Sequence, residues 1–335
     1  MGRSKRAFLS LAFAAAWGCS STPPAQDPVL TADPPVGGAE GLASGTANTE
    51  VQRAMEYISN QKYDDAKTHL EVALAEKPDH PRANYLMGLA TQALGDKASA
   101  EKYYKKSLSI DPLQADCAAD LGGMYLEDPA RPDDAIAVLK PAAEKSTDNF
   151  SLLTNLAYAY SLKKDYAAAS KAYDLAFAKQ DDAELRLYYA TMLIEANEPA
   201  RAGEQLKKAL DGTKDPALAM KIGHWAGKAG DWSDCTRAFD LVIAAKPDAD
   251  FYVRRGLCKH GAKDDEGERA DYQAAIKVDP KFASAHYYLG MSYADEKKMR
   301  TSAIASLEQA AKLGGTTDIA KKAKDKLKEL AKQKP

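Results

Sequence analysis

Five histidines and four cysteines carry most of the chemistry that the 335 residues of this chain could perform. His69, His80, His224, His260 and His286 never fall in the H-E-x-x-H spacing that sets two imidazoles on one helix face around zinc. No G-x-S-x-G elbow presents a nucleophilic serine, and no glycine-rich loop offers its amides to a phosphate. Asp264-Asp265-Glu266-Gly267-Glu268 is strongly acidic. Its carboxylates do not alternate as calcium-loop ligands do, so it reads as a solvated turn. The expectation is a chain that is not an enzyme, with no catalytic residue, metal or cofactor.

Charge narrows the partners. The formal net charge is −2, with 28% charged residues of both signs interleaved. A nucleic-acid binder would need a basic stripe, and none is evident.

Cys19 stands apart from the other cysteines. Arg3, Lys5 and Arg6 precede an apolar run from Ala7 to Trp17. This is the build of a secretory signal peptide, too short to span a bilayer as a stable helix. The run closes on Ala16-Trp17-Gly18-Cys19, which resembles the bacterial lipobox, where signal peptidase II cuts before a cysteine that receives lipid. Gly18 and Cys19 match that pattern; Ala16 and Trp17 depart from it. The resemblance implies a signal peptide over 1–18 and lipidation of Cys19. Ser20, rather than an aspartate, then implies delivery to the periplasmic side of the outer membrane. The alternative is cleavage after Ala14-Ala15-Ala16, leaving a soluble periplasmic protein. Residues 19–48 are rich in Pro, Gly, Ser and Thr and cannot bury a core, so a disordered tether is expected, with an r.m.s. reach of roughly 30 Å.

The rest of the chain shows what would position any site. Ala66, Leu70, Ala73 and Pro78 form a small–large–small–proline pattern. Ala100, Tyr104, Ser107 and Pro112 repeat it 34 residues on; Cys235, Phe239, Val242 and Pro247, then Tyr272, Ala275 and Pro280, repeat it again. Each proline ends a helix. Small residues such as Gly88 and Ala100 allow two helices to approach, and Tyr104, Tyr173, Phe239 and Tyr272 fill the space beside them.

This pattern is similar to that of the tetratricopeptide repeat family. The resemblance implies an all-α fold, a right-handed superhelix (an α-solenoid) of about eight helix pairs over 49–315. The residues 316–335 read as a capping helix and tail, with Ile319, Ala323, Leu327 and Leu330 on one face. A basic contact through its lysines is the alternative reading of that segment.

In this family the first helix of each pair lines a concave groove that holds a protein partner. The resemblance places Tyr85, Leu89, Thr154, Tyr158, Leu187, Ile194, Met220, His224, Val253, Leu257, Tyr287 and Met291 there, with core packing the competing reading for any single one. A partner bound as an extended peptide or amphipathic helix is expected. Tyr85, Leu89, Ala119 and Gly123 stand where chaperone-binding members carry Lys, Asn and Arg, so a carboxylate clamp is not expected there. His224 and His260 would face the groove from neighbouring repeats without a third ligand, which argues against a metal. Cys235 and Cys258 would lie on adjacent helices. A disulfide or two buried thiols both fit, since Cα separation is not readable from sequence. Together these features resemble lipid-anchored scaffolds that assist envelope machines such as type IV pilus secretins, secretion complexes or gliding-motility complexes. A regulator of peptidoglycan synthases or hydrolases is the alternative.

Overall fold

The computed structural model describes residues 46–127, 131–294 and 296–332. The leader, Cys19 and most of the expected tether lie outside the described residues. So does Pro129, which the sequence places in the third turn.

Among the described residues there are seventeen α-helices and no strands. Eight pairs follow one another: α1 (Thr46–Ser59) with α2 (Tyr63–Glu76), α3 (Pro81–Ala93) with α4 (Lys97–Ile110), α5 (Ala115–Leu126) with α6 (Pro132–Lys145), and α7 (Phe150–Leu162) with α8 (Tyr166–Phe177). Next come α9 (Ala183–Glu195) with α10 (Pro199–Asp211), α11 (Pro216–Ala229) with α12 (Trp232–Ala245), α13 (Ala249–Gly261) with α14 (Asp265–Val278), and α15 (Ala283–Ala294) with α16 (Arg300–Leu313). A last helix, α17 (Asp318–Lys332), buries Ala320, Ala323 and Leu330 against the final pair. Helix α1 starts inside the stretch expected to be tether. Ala47 is buried, and Asn48 Oδ1 lies 3.0 Å from His80 Nε2, so packing on the next helices holds this turn in the array.

The turns explain why each pair folds back sharply. Gly95 and Gly230 adopt φ of 86° and 80°, and Gln61, Lys164, Asn197 and Lys263 take the same left-handed conformation. In four turns the next residue is an aspartate, and its carboxylate accepts from an amide of the following first turn: Asp96 from Ser99, Asp165 from Ala168, Asp231 from Asp234 and Asp264 from Gly267. Each such cap stabilises the second helix by about 1 kcal/mol.

The pairs close on a repeated interlock. A Cβ added at Gly88 would lie 2.5 Å from the ring of Tyr104. What Gly88 admits is therefore that ring, not Ala100. Gly122 meets Leu139, Gly223 meets Phe239, Gly256 meets Tyr272 and Gly290 meets Leu307 in the same way. In the other three pairs Ala54, Ala157 and Ala190 hold the small position, and Leu70, Tyr173 and Leu206 the large one, all buried.

Two pairs depart from the pattern one step before the large residue. There the other pairs carry Ala66, Ala100, Ala135, Ala169, Ala202 and Ala303, each fully buried. The sixth pair carries Cys235, joined in a disulfide to Cys258 of α13 with a Cα–Cα distance of 5.7 Å. The seventh carries Glu268, only 2% exposed, with His260 Nδ1 2.8 Å from its carboxylate. The bridge sits where the buried apolar side chains divide. One cluster runs from Ala47 to Cys258, a second from Ala249 to Leu289, and a third from Ala303 to Leu330.

The interlock makes a direct prediction. Gly88→Ala overpacks the Tyr104 site and should cost about 1–3 kcal/mol, read as a lower midpoint in thermal unfolding by circular dichroism. Adding Tyr104→Leu, which recreates the Ala–Leu combination of the first and fifth pairs, should recover part of the loss. A double variant no more stable than Gly88→Ala alone would refute the interlock.

Candidate protein-binding surface

The first helices of the pairs present the sequence-nominated residues in three groups. Leu89, Thr154, Tyr158, Leu187 and Val253 are buried, all at or below 7% exposure. Here the sequence expectation of a free groove-lining surface needs correction. Helix α9 rests directly on α11 and α13 on α15, which covers Leu187 and Val253, and Leu89 and Tyr158 belong to the main apolar cluster.

Tyr85, Ile194, His224, Tyr287 and Met291 are half-buried. Tyr85 donates to Asp120 Oδ2 at 2.9 Å. Ile194 packs on the main core, and Tyr287 and Met291 pack against the cluster that α17 closes. Met220 and Leu257, each 36% exposed, are the exposed apolar side chains of the groove set.

The histidines are tied down locally. His69 Nδ1 contacts the Glu50 carboxylate at 2.5 Å and its ring stacks on Tyr57. His80 Nδ1 accepts from the Ala83 amide and caps α3. His286 Nε2 donates to the Pro280 carbonyl. His260 turns to Glu268 of its own pair rather than toward His224. Burial and the cations Lys228 and Arg254 hold the His224 imidazole below its usual pKa. Among the described residues, no three His, Cys, Asp or Glu side chains gather as a metal site.

Two recesses among the described residues bear on the site. One, of about 240 Å³, lies among Lys97, Ala98, Glu101, Met124, Glu127 and Arg131. Its charges are already neutralised, Lys97 by Glu127 and Arg131 by Glu101. The Arg131 and Lys105 side chains on Glu101 hold its carboxyl down at about 2. The other, of about 50 Å³, opens between α7, α8 and α9. Tyr158 and Ser161 of α7 face Tyr188, Thr191 and Glu195 of α9 across it, with Tyr173 behind. Of these, sequence reasoning named Tyr158 for the groove and missed Ser161, Tyr188, Thr191 and Glu195. Thr191 and Tyr158 each follow the small interlock residue of their pair, Ala190 and Ala157, a register that could have flagged Thr191.

Models of the tetratricopeptide repeat match residues 51–115, 269–316 and 150–178. These segments are tetratricopeptide repeats, and the described residues around them continue the same array of stacked helix pairs, an α-solenoid. No curated protein matches it. Among solved structures, it is similar to PilW, described as a widely conserved type IV pilus biogenesis factor. That match has 20% identity and a TM-score of 0.51, covering 61% of this chain and 96% of PilW. It is also similar to a chain of the Naa15/Naa10 complex bound to HypK-THB, at 14% identity and a TM-score of 0.50, covering 86% of this chain and 46% of that one. A tetratricopeptide repeat protein from Parabacteroides merdae aligns over 74% of this chain and 98% of its own, at 15% identity and a TM-score of 0.48. At these identities the likeness is one of fold. Folds of this kind are protein-interaction scaffolds and generally non-catalytic.

Asp120 gives the surface a measurable pH response. Burial, opposed by the Tyr85 hydrogen bond, and the neighbouring charge of Asp116 push its carboxyl up to about 7. The folded state thus retains a proton that the unfolded chain, at about 4, has released. Stability from this group is present below pH 4 and is lost as pH rises toward 7. Asp120→Asn should remove that decline, a difference of order 1–3 kcal/mol between pH 4 and pH 7, measured by denaturant unfolding of both proteins. Parallel pH profiles would contradict it.

Proposed function

We propose that this protein is a lipid-anchored scaffold that holds a protein partner during assembly of a bacterial envelope machine. The machine would be a type IV pilus secretin, a secretion complex or a gliding-motility complex. The lipid on Cys19 would hold the chain to the periplasmic side of the outer membrane, and the Pro/Gly-rich segment would let the array stand off the surface. The observation that carries this reading is the pairing of a lipobox-like Gly18-Cys19 with an array of stacked helix pairs. The likeness to PilW supports it at the level of fold alone.

The partner would lie along the first helices, with Met220 of α11 and Leu257 of α13 as its apolar contacts. Lys221 is exposed beside Met220, and Lys228 lies 4.2 Å from the Trp225 ring.

Fractionation tests the anchor. Cys19→Ser should move the protein from membranes to the soluble periplasm; retention in the membrane would refute lipid anchoring. Photo-crosslinkers at positions 220 and 257 in living cells test the partner. Crosslinks to a secretin, secretion or motility subunit support assembly, and crosslinks to a cell-wall enzyme count against it. Met220→Asp with Leu257→Asp should reduce capture at least about tenfold while shifting stability by no more than about 0.5 kcal/mol each, as exposed positions do. Leu187→Asp, by contrast, should unfold its pair.

A further inference from the structure

The exposed apolar stretch of the groove wall, at α11 and α13, is bordered by cations. Met220, His224 and Lys228 are four residues apart on α11, so they line one helix face at steps of about 6 Å. Lys221 is exposed beside Met220, and Lys228 is exposed at the far end of the row. The Trp225 ring lies 4.2 Å from Lys228 Nζ and edge-on to His224 at 5.7 Å between centroids, which ties the three side chains together. On α13, Arg254 and Leu257 are three residues apart. Met220 and Leu257 reach solvent where α11 and α13 make little direct contact. The Cys235–Cys258 bridge fixes α13 to α12, the hairpin partner of α11, so the two sides of this stretch are placed before a guest arrives.

The ion pairs of these two hairpins leave the two lysines out. Asp234 holds Arg237, Asp240 and Asp271 hold Arg255, Asp271 also holds Lys259, and Asp250 holds Arg254. Helix α11 contains no acidic residue. Neither Lys221 nor Lys228 makes an ion pair with a described residue. Earlier along the wall the sign is reversed: α5 carries Asp116 and Asp120 and no base, and α9 carries Glu184 and Glu195 against Arg186. An apolar patch bordered by unneutralised cations repels a basic segment and favours one whose apolar side chains are flanked by carboxylates.

We infer that the α11–α13 stretch selects an acidic segment of the partner, with its apolar side chains on Met220 and Leu257 and its carboxylates on Lys221 and Lys228. This rests on the groove reading of the previous subsection and adds a sign of charge to it. The lysine contacts are exposed, so they choose among partners and speed encounter more than they tighten binding.

The test uses short labelled peptides carrying a pair of leucines flanked by glutamate, glutamine or lysine, titrated with the full protein and read by fluorescence anisotropy. The glutamate peptide should bind about fivefold tighter than the glutamine peptide, the size expected of two exposed ion pairs, and the lysine peptide should bind weakest. The advantage should shrink as salt rises. A glutamate peptide with serines in place of its leucines should bind at least about tenfold weaker. Lys221→Gln with Lys228→Gln should erase the preference for glutamate, and Lys221→Glu with Lys228→Glu should reverse it, with thermal midpoints close to that of the unchanged protein, as exposed positions allow. Equal binding of the glutamate and glutamine peptides, tightest binding of the lysine peptide, a preference that survives charge reversal, or full binding without the leucines would overturn the inference. So would phosphatidylglycerol vesicles that compete as strongly as the glutamate peptide, which would assign the face to a lipid surface. Its failure is separable from that of the assembly reading. Loss of the acidic preference with crosslinks at 220 and 257 intact rejects the charge requirement alone. An acidic preference without any crosslinked envelope subunit rejects the assembly role alone.

Discussion

Every helix pair in this protein leaves an apolar face that only a neighbouring pair can cover, and that single constraint orders the rest of the structure. Within a pair, the constraint is met by setting one small residue under one large one, as Gly88 under Tyr104 and Gly256 under Tyr272. Between pairs it is met by stacking, which is why the largest apolar cluster runs without a break from Ala47 to Cys258. Beside the place where a separate cluster begins, a covalent bridge joins Cys235 to Cys258, both members of the first cluster. Closing the loop between two cysteines 23 residues apart removes unfolded-chain entropy worth about 3 kcal/mol in the loop-closure description. Stability is thus assembled from local units and their contacts, and no single residue sits at a centre.

The same stacking decides what the groove can offer. Where α9 lies on α11 and α13 on α15, inward side chains such as Leu187 and Val253 become core. Between α11 and α13, which make little direct contact, Met220 and Leu257 reach solvent, and Lys221 is exposed beside Met220. The first helices thus combine a closed wall with a limited accessible stretch, and the small tyrosine-lined recess lies just before that stretch. Polar side chains in the wall are not idle either. Asp120 is held partly protonated by its surroundings near neutral pH, with Tyr85 donating to it, so the wall's charge depends on the fold around it.

The fold was legible in the sequence because its rule is local. The small and large residues of each interlock are about one helical hairpin apart, and prolines such as Pro78, Pro112 and Pro247 mark where the second helices stop. The surface was much less legible. Leu187, Met220 and Val253 occupy the same place in their repeats, three residues before Ala190, Gly223 and Gly256, yet they are 6%, 36% and 3% exposed. What separates them is how closely the next first helix packs, a contact between residues some 30 positions apart that no local pattern encodes. The Cys235–Cys258 pairing has the same character: helix neighbourhood followed from the repeat, whereas the short Cα separation needed coordinates. Glu268, which the sequence analysis read as part of a solvated acidic turn, is instead a buried carboxylate in the first turn of α14 beside His260.

Amide hydrogen exchange, followed by mass spectrometry on the array alone and on the array with its captured partner, reads the central claim most directly. If the groove holds the partner, added protection should concentrate on α7, α9, α11 and α13, with the outer, second helices α2, α12 and α14 unchanged. Protection gathered on those outer helices, with the first helices exchanging as they do in the free protein, would contradict a groove-binding scaffold.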